Sequence, residues 1–123
     1  MLIDSHCHLD RIDLKPYEND FSRFMAEASN SQIEHLLCIA IDLENYPAMM
    51  SLIDDFTQIS ATVGVHPNTQ DCHDPSVDEL IGLGQNTRVI GIGETGLDYF
   101  RSEGDLEWQQ QRFRNHIRAA KTL

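Results

Sequence analysis

Residues 88–100 read RVIGIGETGLDYF. An apolar run of strand character leads into GIGETG (91–96), which satisfies the spacing G-x-G-x-x-G. How this segment is read decides between two kinds of α/β fold. A dinucleotide fingerprint opens a helix at once and turns its amides toward a pyrophosphate. Here LDYFRSEG (97–104) follows, a loop of charged and turn residues, and Glu94 sets a carboxylate where the diphosphate has to lie. The nucleotide reading is therefore set aside. Two others stay open. Either the glycines let a barrel strand pack tightly and Glu94 is simply a polar strand end, or Glu94 is a hard oxygen ligand able to bridge two cations.

Working outward, three more apolar runs precede this one: MLIDSHCHLD (1–10), HLLCIAID (35–42) and ISATVGVHP (59–67). The first reads as a buried strand over Met1–Leu9. The second, short and continuously apolar, reads as a strand covered on both faces. The third ends at Pro67, as a strand leaving a sheet does. Between the runs lie helical patterns. Phe21, Phe24, Met25 and Ala28 stand at i, i+3, i+4 and i+7, and Met49, Leu52, Ile53 and Phe56 repeat the spacing. Ser76 with Glu79 forms a capping box ahead of Val77, Leu80 and Ile81, and Gly84 suits that helix's end. A last helix is predicted from about Asp105, with Leu106, Gln109, Phe113, Ile117 and Ala120 along its inner side. Strand and helix alternating four times predict βαβ units and a parallel sheet in one domain, residues 1–123. In such folds the chemistry sits at the carboxyl ends of the strands.

That rule selects His6, His8, Asp42, His66 and the segment Glu94 through Asp98. In a strand, His6 and His8 share one face and Cys7 the other. Two imidazoles so placed either grip one metal ion or are hydrogen-bonded at a strand end; the position at the end of a first strand favours the ion. Cys7 reads as a small core residue. His66, in GVHP, holds a substrate phosphate, relays a proton, or caps the loop before Pro67. Asp42 contributes to the site or, more simply, caps the following helix. His35 precedes its strand at the far end, His116 lies mid-helix as a surface or packing residue, and Cys72 and His73 read as loop residues.

The chain carries 9 basic and 20 acidic residues, a formal net charge of −11. That balance argues against broad adhesion to nucleic acid or anionic membrane. It does not exclude a nucleic-acid enzyme, because bound cations reverse the local field. Three cysteines without a CxxC pair predict free thiols in a reducing compartment. With no signal-like N-terminus and no apolar stretch of spanning length, the expectation is a soluble cytoplasmic protein with no membrane partner.

DSHCHLD at the start, GVHP in the third strand and GETGLDY after the fourth together resemble the TatD family of metal-dependent deoxyribonucleases, and QQQRFRNHIRAAKTL (109–123) resembles the family's next helix. The resemblance runs over the whole chain in order, and it is the joining of an early HxH to GETGLDY that makes it specific. It implies a (β/α)8 barrel of the amidohydrolase-like type, of which this chain is the first four βα units, hydrolysing DNA phosphodiester bonds with divalent metal. It further implies His6 and His8 as ligands of one ion, Glu94 as the catalytic carboxylate shared between two, and His66 facing the substrate phosphate. The ions would be Mg, Zn or Mn, two per complete site. The family barrel is about twice as long, and the two histidines and one aspartate implied from its second half are absent here. Alternatives are a related metal-dependent amide or ester hydrolase and a non-catalytic α/β module. Four units leave two open sheet edges, which predicts instability alone or self-association.

Overall fold

The computed structural model describes residues 2–123. Four strands, β1 (Leu2–Cys7), β2 (Ile33–Cys38), β3 (Ile59–Val63) and β4 (Val89–Ile92), alternate with four helices, α1 (Phe21–Asn30), α2 (Tyr46–Ile53), α3 (Val77–Gly84) and α4 (Glu107–Thr122). All strand pairs are parallel and their order is β1-β2-β3-β4. A doubly wound sheet reverses its order at a switch point. Here each strand is laid beside its predecessor, the winding of a barrel wall. No helix among the described residues is long and apolar enough to cross a membrane.

The core follows from strand alternation. Leu36 and Cys38 of β2 and Ile59, Ala61 and Val63 of β3 point to one face, where they meet Phe21 and Met25 of α1, Met49 and Ile53 of α2, Leu80 of α3 and Ala119 of α4. Local signals set the helix starts. The Asp20 carboxylate accepts the Ser22 amide (2.8 Å), and Ser76 and Glu79 form the reciprocal capping box. Phe56 lies just past α2, where its ring meets Phe21 edge-on at 5.1 Å. At the amino edge of the sheet, the Arg88 guanidinium donates to the carbonyls of Asp54, Phe56 and Ile59 at 2.7, 2.6 and 3.1 Å.

Two expectations are corrected. β1 is not buried: Leu2 is 60 % and Ile3 62 % exposed. The strand pairs only with β2, and at a sheet edge its apolar side chains have no second neighbour. β4 is the other edge, with Ile90 65 % exposed. The second correction concerns α4. Of the predicted inner side Leu106, Gln109, Phe113, Ile117 and Ala120, only Gln109 is buried; the buried set is Gln109, Arg112, His116 and Ala119. Ile117 is 41 % exposed.

The rotation of α4 has a polar cause. Beyond Val63 the chain has left the β3 ladder, and its amides and carbonyls need partners. The Val65 amide donates to His116 Nε2 (2.9 Å), and His116 Nδ1 donates to the Arg112 carbonyl (2.8 Å). The Arg112 guanidinium donates to the carbonyls of His66 (3.0 Å) and Thr69 (2.7 Å), pairs with Asp74, and lies over the Trp108 ring. Burial pushes the His116 pKa below its ordinary value, and the nearby Arg112 charge acts in the same direction. The ring is therefore neutral, with its proton on Nδ1.

Gly64 is required by close approach: a Cβ there would stand 2.7 Å from the Gly93 carbonyl carbon. Gly64→Ala is expected to destabilise the fold by about 1–3 kcal/mol, read as a lower urea midpoint. Gly82, inside α3 with open space around it, is the control. Gly82→Ala is expected to stabilise by about 0.5–1 kcal/mol through helix propensity. His116 predicts a pH dependence. The unfolded chain's imidazole takes up a proton near pH 6.5 and the folded ring only at lower pH. Stability is thus full above about pH 6.5 and declines as the pH falls below it. Denaturant titrations across this range are expected to show a shallower decline for His116→Gln than for the wild type.

Candidate metal centre

The carboxyl edge of the sheet gathers side chains from three strands. His6 lies in β1 and His8 just beyond it; His66 follows β3; Glu94 follows β4. His6 Nε2 and His8 Nε2 stand 3.4 and 3.7 Å from Glu94 Oε2, while His66 Nε2 stands 3.5 Å from Glu94 Oε1. One ligand atom from each of His6, His8 and Glu94 falls within 4.8 Å of the others. Donors sharing a tetrahedral ion at ~2.1 Å are separated by ~3.4 Å. The observed separations match that spacing and exceed an ordinary hydrogen bond. Two imidazoles and one carboxylate are a donor set that zinc and other divalent transition metals accept.

The hydrogen-bond partners of the rings sort the histidines into two kinds. His8 Nδ1 donates to the Ile39 carbonyl (2.9 Å), which leaves a lone pair on Nε2, the form of a metal ligand held by an outer partner. His66 Nδ1 does the reverse and accepts the Asn68 amide (3.1 Å). Its neutral ring therefore carries a proton on Nε2, pointed at Glu94, and is built to donate. The His6 backbone is held by its amide donating to Asp4 Oδ1 (3.1 Å), and its ring meets His8 edge-on.

Glu94 is fixed through its backbone. Its amide donates to the Ala40 carbonyl (2.9 Å), and the Gly93 amide donates to Val63 (2.8 Å). Thr62 Oγ1 accepts the Ala40 amide (3.2 Å) and donates to the Gly93 carbonyl (2.6 Å), joining the exits of β2 and β4 through a buried hydroxyl. Past the carboxylate, Gly96 takes φ +122°, which only glycine adopts freely, and α4 begins at Glu107. GIGETG thus opens no helix, and the dinucleotide reading fails on geometry as well.

The remaining candidates lie elsewhere. Asp42 Oδ1 accepts the Asn45 amide (2.7 Å) and Oδ2 accepts Arg11 (3.2 Å), so Asp42 braces the turn before α2 and does not cap the helix, whose N-cap is Asn45. His35 bonds Ser60 Oγ (2.9 Å) on the sheet. His73 pairs with Glu79, and the Cys72 thiol lies beside Arg112. The Cys7 thiol donates to the Leu37 carbonyl and is pushed up to about 12, by burial first and then by Asp4 and Cys38. It stays protonated, the wrong state for a ligand.

The loops of the site are held by Asp98, at a strand end the sequence already marks, and by Gln109, Arg112 and His116, whose polar anchoring role the sequence reading does not give. Asp98 Oδ2 accepts Asn68 Nδ2 (2.6 Å), and the Asp98 amide donates to Gln109 Oε1 (2.8 Å). Gln109 Nε2 in turn donates to the Pro67 carbonyl (3.2 Å). With Arg112 and His116, Gln109 forms a polar stripe at i, i+3 and i+7, a helical period visible in the sequence to a search for polar as well as apolar spacing.

The chain matches the family described as TatD related DNase over residues 3–123. It is 34 % identical over 123 residues to an uncharacterized metal-dependent hydrolase, YcfH, of Escherichia coli K12, covering 99 % of this chain and 46 % of that protein. It is 29 % identical over 124 residues to another, YabD of Bacillus subtilis, covering 100 % and 48 %. The crystal structure of YjjV, a TatD homologue from Escherichia coli K12, superposes with a TM-score of 0.82 at 27 % identity, over 98 % of this chain and 46 % of that one. The chain spans about half the length of these relatives. It belongs to the TatD related DNase family, and its four βα units form the N-terminal half of that family's barrel.

Proposed function

We propose that this chain supplies the metal-binding wall of a cytoplasmic, divalent-metal-dependent deoxyribonuclease that hydrolyses phosphodiester bonds in DNA. The observation that carries the reading is the convergence of His6, His8 and Glu94 within 4.8 Å at the ends of β1 and β4. His6, His8 and Glu94 Oε2 would hold one cation. The Glu94 carboxylate, with its other oxygen turned to His66, would be shared with a second cation. Bound there, the metal supplies Lewis acidity and a lowered water pKa, the demands of phosphodiester hydrolysis.

The chain's own residues do the rest. His8, locked by Ile39, keeps its lone pair aimed at the site without reorganising. His66 presents Nε2–H, which suits a hydrogen bond to a phosphate oxygen or delivery of a proton to a leaving alkoxide. Thr62 and Gly93 hold the backbone at Glu94, so the carboxylate is preorganised. An amide or ester hydrolase would use the same metal chemistry; the names of the relatives, metal-dependent hydrolases, leave the bond cleaved open, and the family description favours DNA.

Calorimetric titration with Mn²⁺ or Zn²⁺ is expected to show binding that Glu94→Gln weakens by about 100-fold or more, since outer-shell changes alone cost about 10–100-fold. His66→Gln is expected to leave metal affinity unchanged while lowering hydrolysis of a single-stranded oligonucleotide by about 10²–10⁴-fold. Undiminished hydrolysis in Glu94→Gln would remove that residue from the site. Hydrolysis of a small ester or lactam in preference to DNA would replace the nuclease reading with the amide or ester one.

A second property is favoured by the two open edges. We propose that the chain self-associates through β1 and β4, where Leu2, Ile3 and Ile90 stand exposed. Light scattering after size exclusion is expected to show mass rising with concentration. A constant monomer mass, with the fold intact by circular dichroism, argues against it.

A further inference from the structure

The loop between Glu94 and α4 carries three exposed apolar side chains, Leu97, Tyr99 and Phe100, and Phe100 is 95 % exposed. Isolated exposed apolar residues need no explanation. These three fall within four positions, at the carboxyl edge, starting three residues past the proposed metal ligand Glu94. The loop that bears them is also held firmly. Asp98 Oδ1 accepts the amides of Phe100 (3.1 Å) and Arg101 (3.4 Å). Asp98 itself is tied to Asn68 and to the buried Gln109, and Ser102 Oγ donates to Asn68 Oδ1 (2.6 Å). The Tyr99 hydroxyl accepts Gln110 Nε2 (3.0 Å). The backbone on both sides of Phe100 is therefore pinned to the β3 exit and to α4, while its ring is left in solvent. A backbone pinned in this way has already lost the freedom that binding would otherwise remove from the loop.

The charge of the chain indicates what such a face would take. At a net −11, capture of DNA by neutralising its phosphates is not available over most of the surface. Base stacking supplies affinity that does not depend on neutralising phosphates, and it requires an unpaired base. We propose that Phe100, flanked by Tyr99 and by the Arg101 cation, is a stacking platform for an unpaired nucleobase of a bound strand. This rests on the nuclease reading of the His6–His8–Glu94 site.

The experiment uses the intact chain and a short single strand containing 2-aminopurine, whose fluorescence is quenched on stacking, without divalent metal. Phe100 is 95 % exposed, so its variants are expected to keep the wild-type unfolding midpoint. Wild type and Phe100→Trp are expected to quench the probe. Phe100→Leu and Phe100→Ala are expected to bind about 5- to 100-fold more weakly, and an abasic strand of the same length is expected to bind no better to wild type than to Phe100→Ala. Equal affinity of wild type and Phe100→Ala for the probe strand overturns the proposal. So does a change of molecular mass in Phe100→Ala without a change in strand binding, which assigns the ring to an interface between copies. Loss of the nuclease reading shows differently, as absence of Mn²⁺ binding at His6, His8 and Glu94, whatever the probe strand does.

Discussion

The geometry of the carboxyl edge depends on the buried polar face of α4. Once β3 ends, the His66 amide still donates to the Ile41 carbonyl at the β2 exit (2.8 Å), but the other backbone groups around His66 have no partner in the sheet. The helix supplies partners instead: His116 takes the Val65 amide, Arg112 takes the His66 and Thr69 carbonyls, and Gln109 takes the Pro67 carbonyl. A buried guanidinium is costly unless its donors are matched, and here carbonyls and the Asp74 carboxylate match them. Gln109 joins this loop to the one after β4 through the Asp98 amide, so the segments bearing His66 and Glu94 share one anchor. Replacing the stripe with apolar residues would improve the hydrophobic pattern of α4 and leave both loops without partners.

Within that anchor, small groups set the chemistry. One carbonyl, from Ile39, makes His8 a lone-pair donor, and one amide, from Asn68, makes His66 a proton donor. The same residue type, twice at strand ends and both facing Glu94, is thereby given opposite character by its backbone partner. The Thr62 hydroxyl spans the β2 and β4 exits across a gap kept narrow because Gly64 has no side chain.

Much of this was legible in the residues. The βα rhythm gave four strands and four helices in parallel order, and the strand-end rule selected His6, His8, His66 and Glu94, which the structure brings together. The helix-capping reading of Asp42 does not hold, because its carboxylate takes the amide of the N-cap residue Asn45, ahead of the helix. What escaped has a common cause. The apolar periodicity of α4 pointed to Phe113, Ile117 and Ala120, yet hydrogen bonds to a chain segment more than 40 residues earlier turned the helix, as the Val65–His116 pair shows. Burial of β1 was over-read because an apolar run reports that a strand is covered only where it has neighbours on both sides, and β1 has one. Thr62 gave no signal, since a threonine in a strand is ordinary until its partners are known.

The two ends of the sheet divide their tasks. At the amino edge, Arg88 alone gathers three carbonyls from the α2–β3 turn and joins β4 to its neighbours. At the carboxyl edge, the end of β1 and the loops after the strands carry the proposed ligands and the exposed aromatic turn. In evolutionary terms the two ends are open to different kinds of change. Loop residues such as Phe100 can drift and alter what is bound while the core stays intact, whereas change at Arg88 would be selected against for the fold itself. A lineage could thus acquire a new substrate by varying a few positions at one end of an unaltered scaffold.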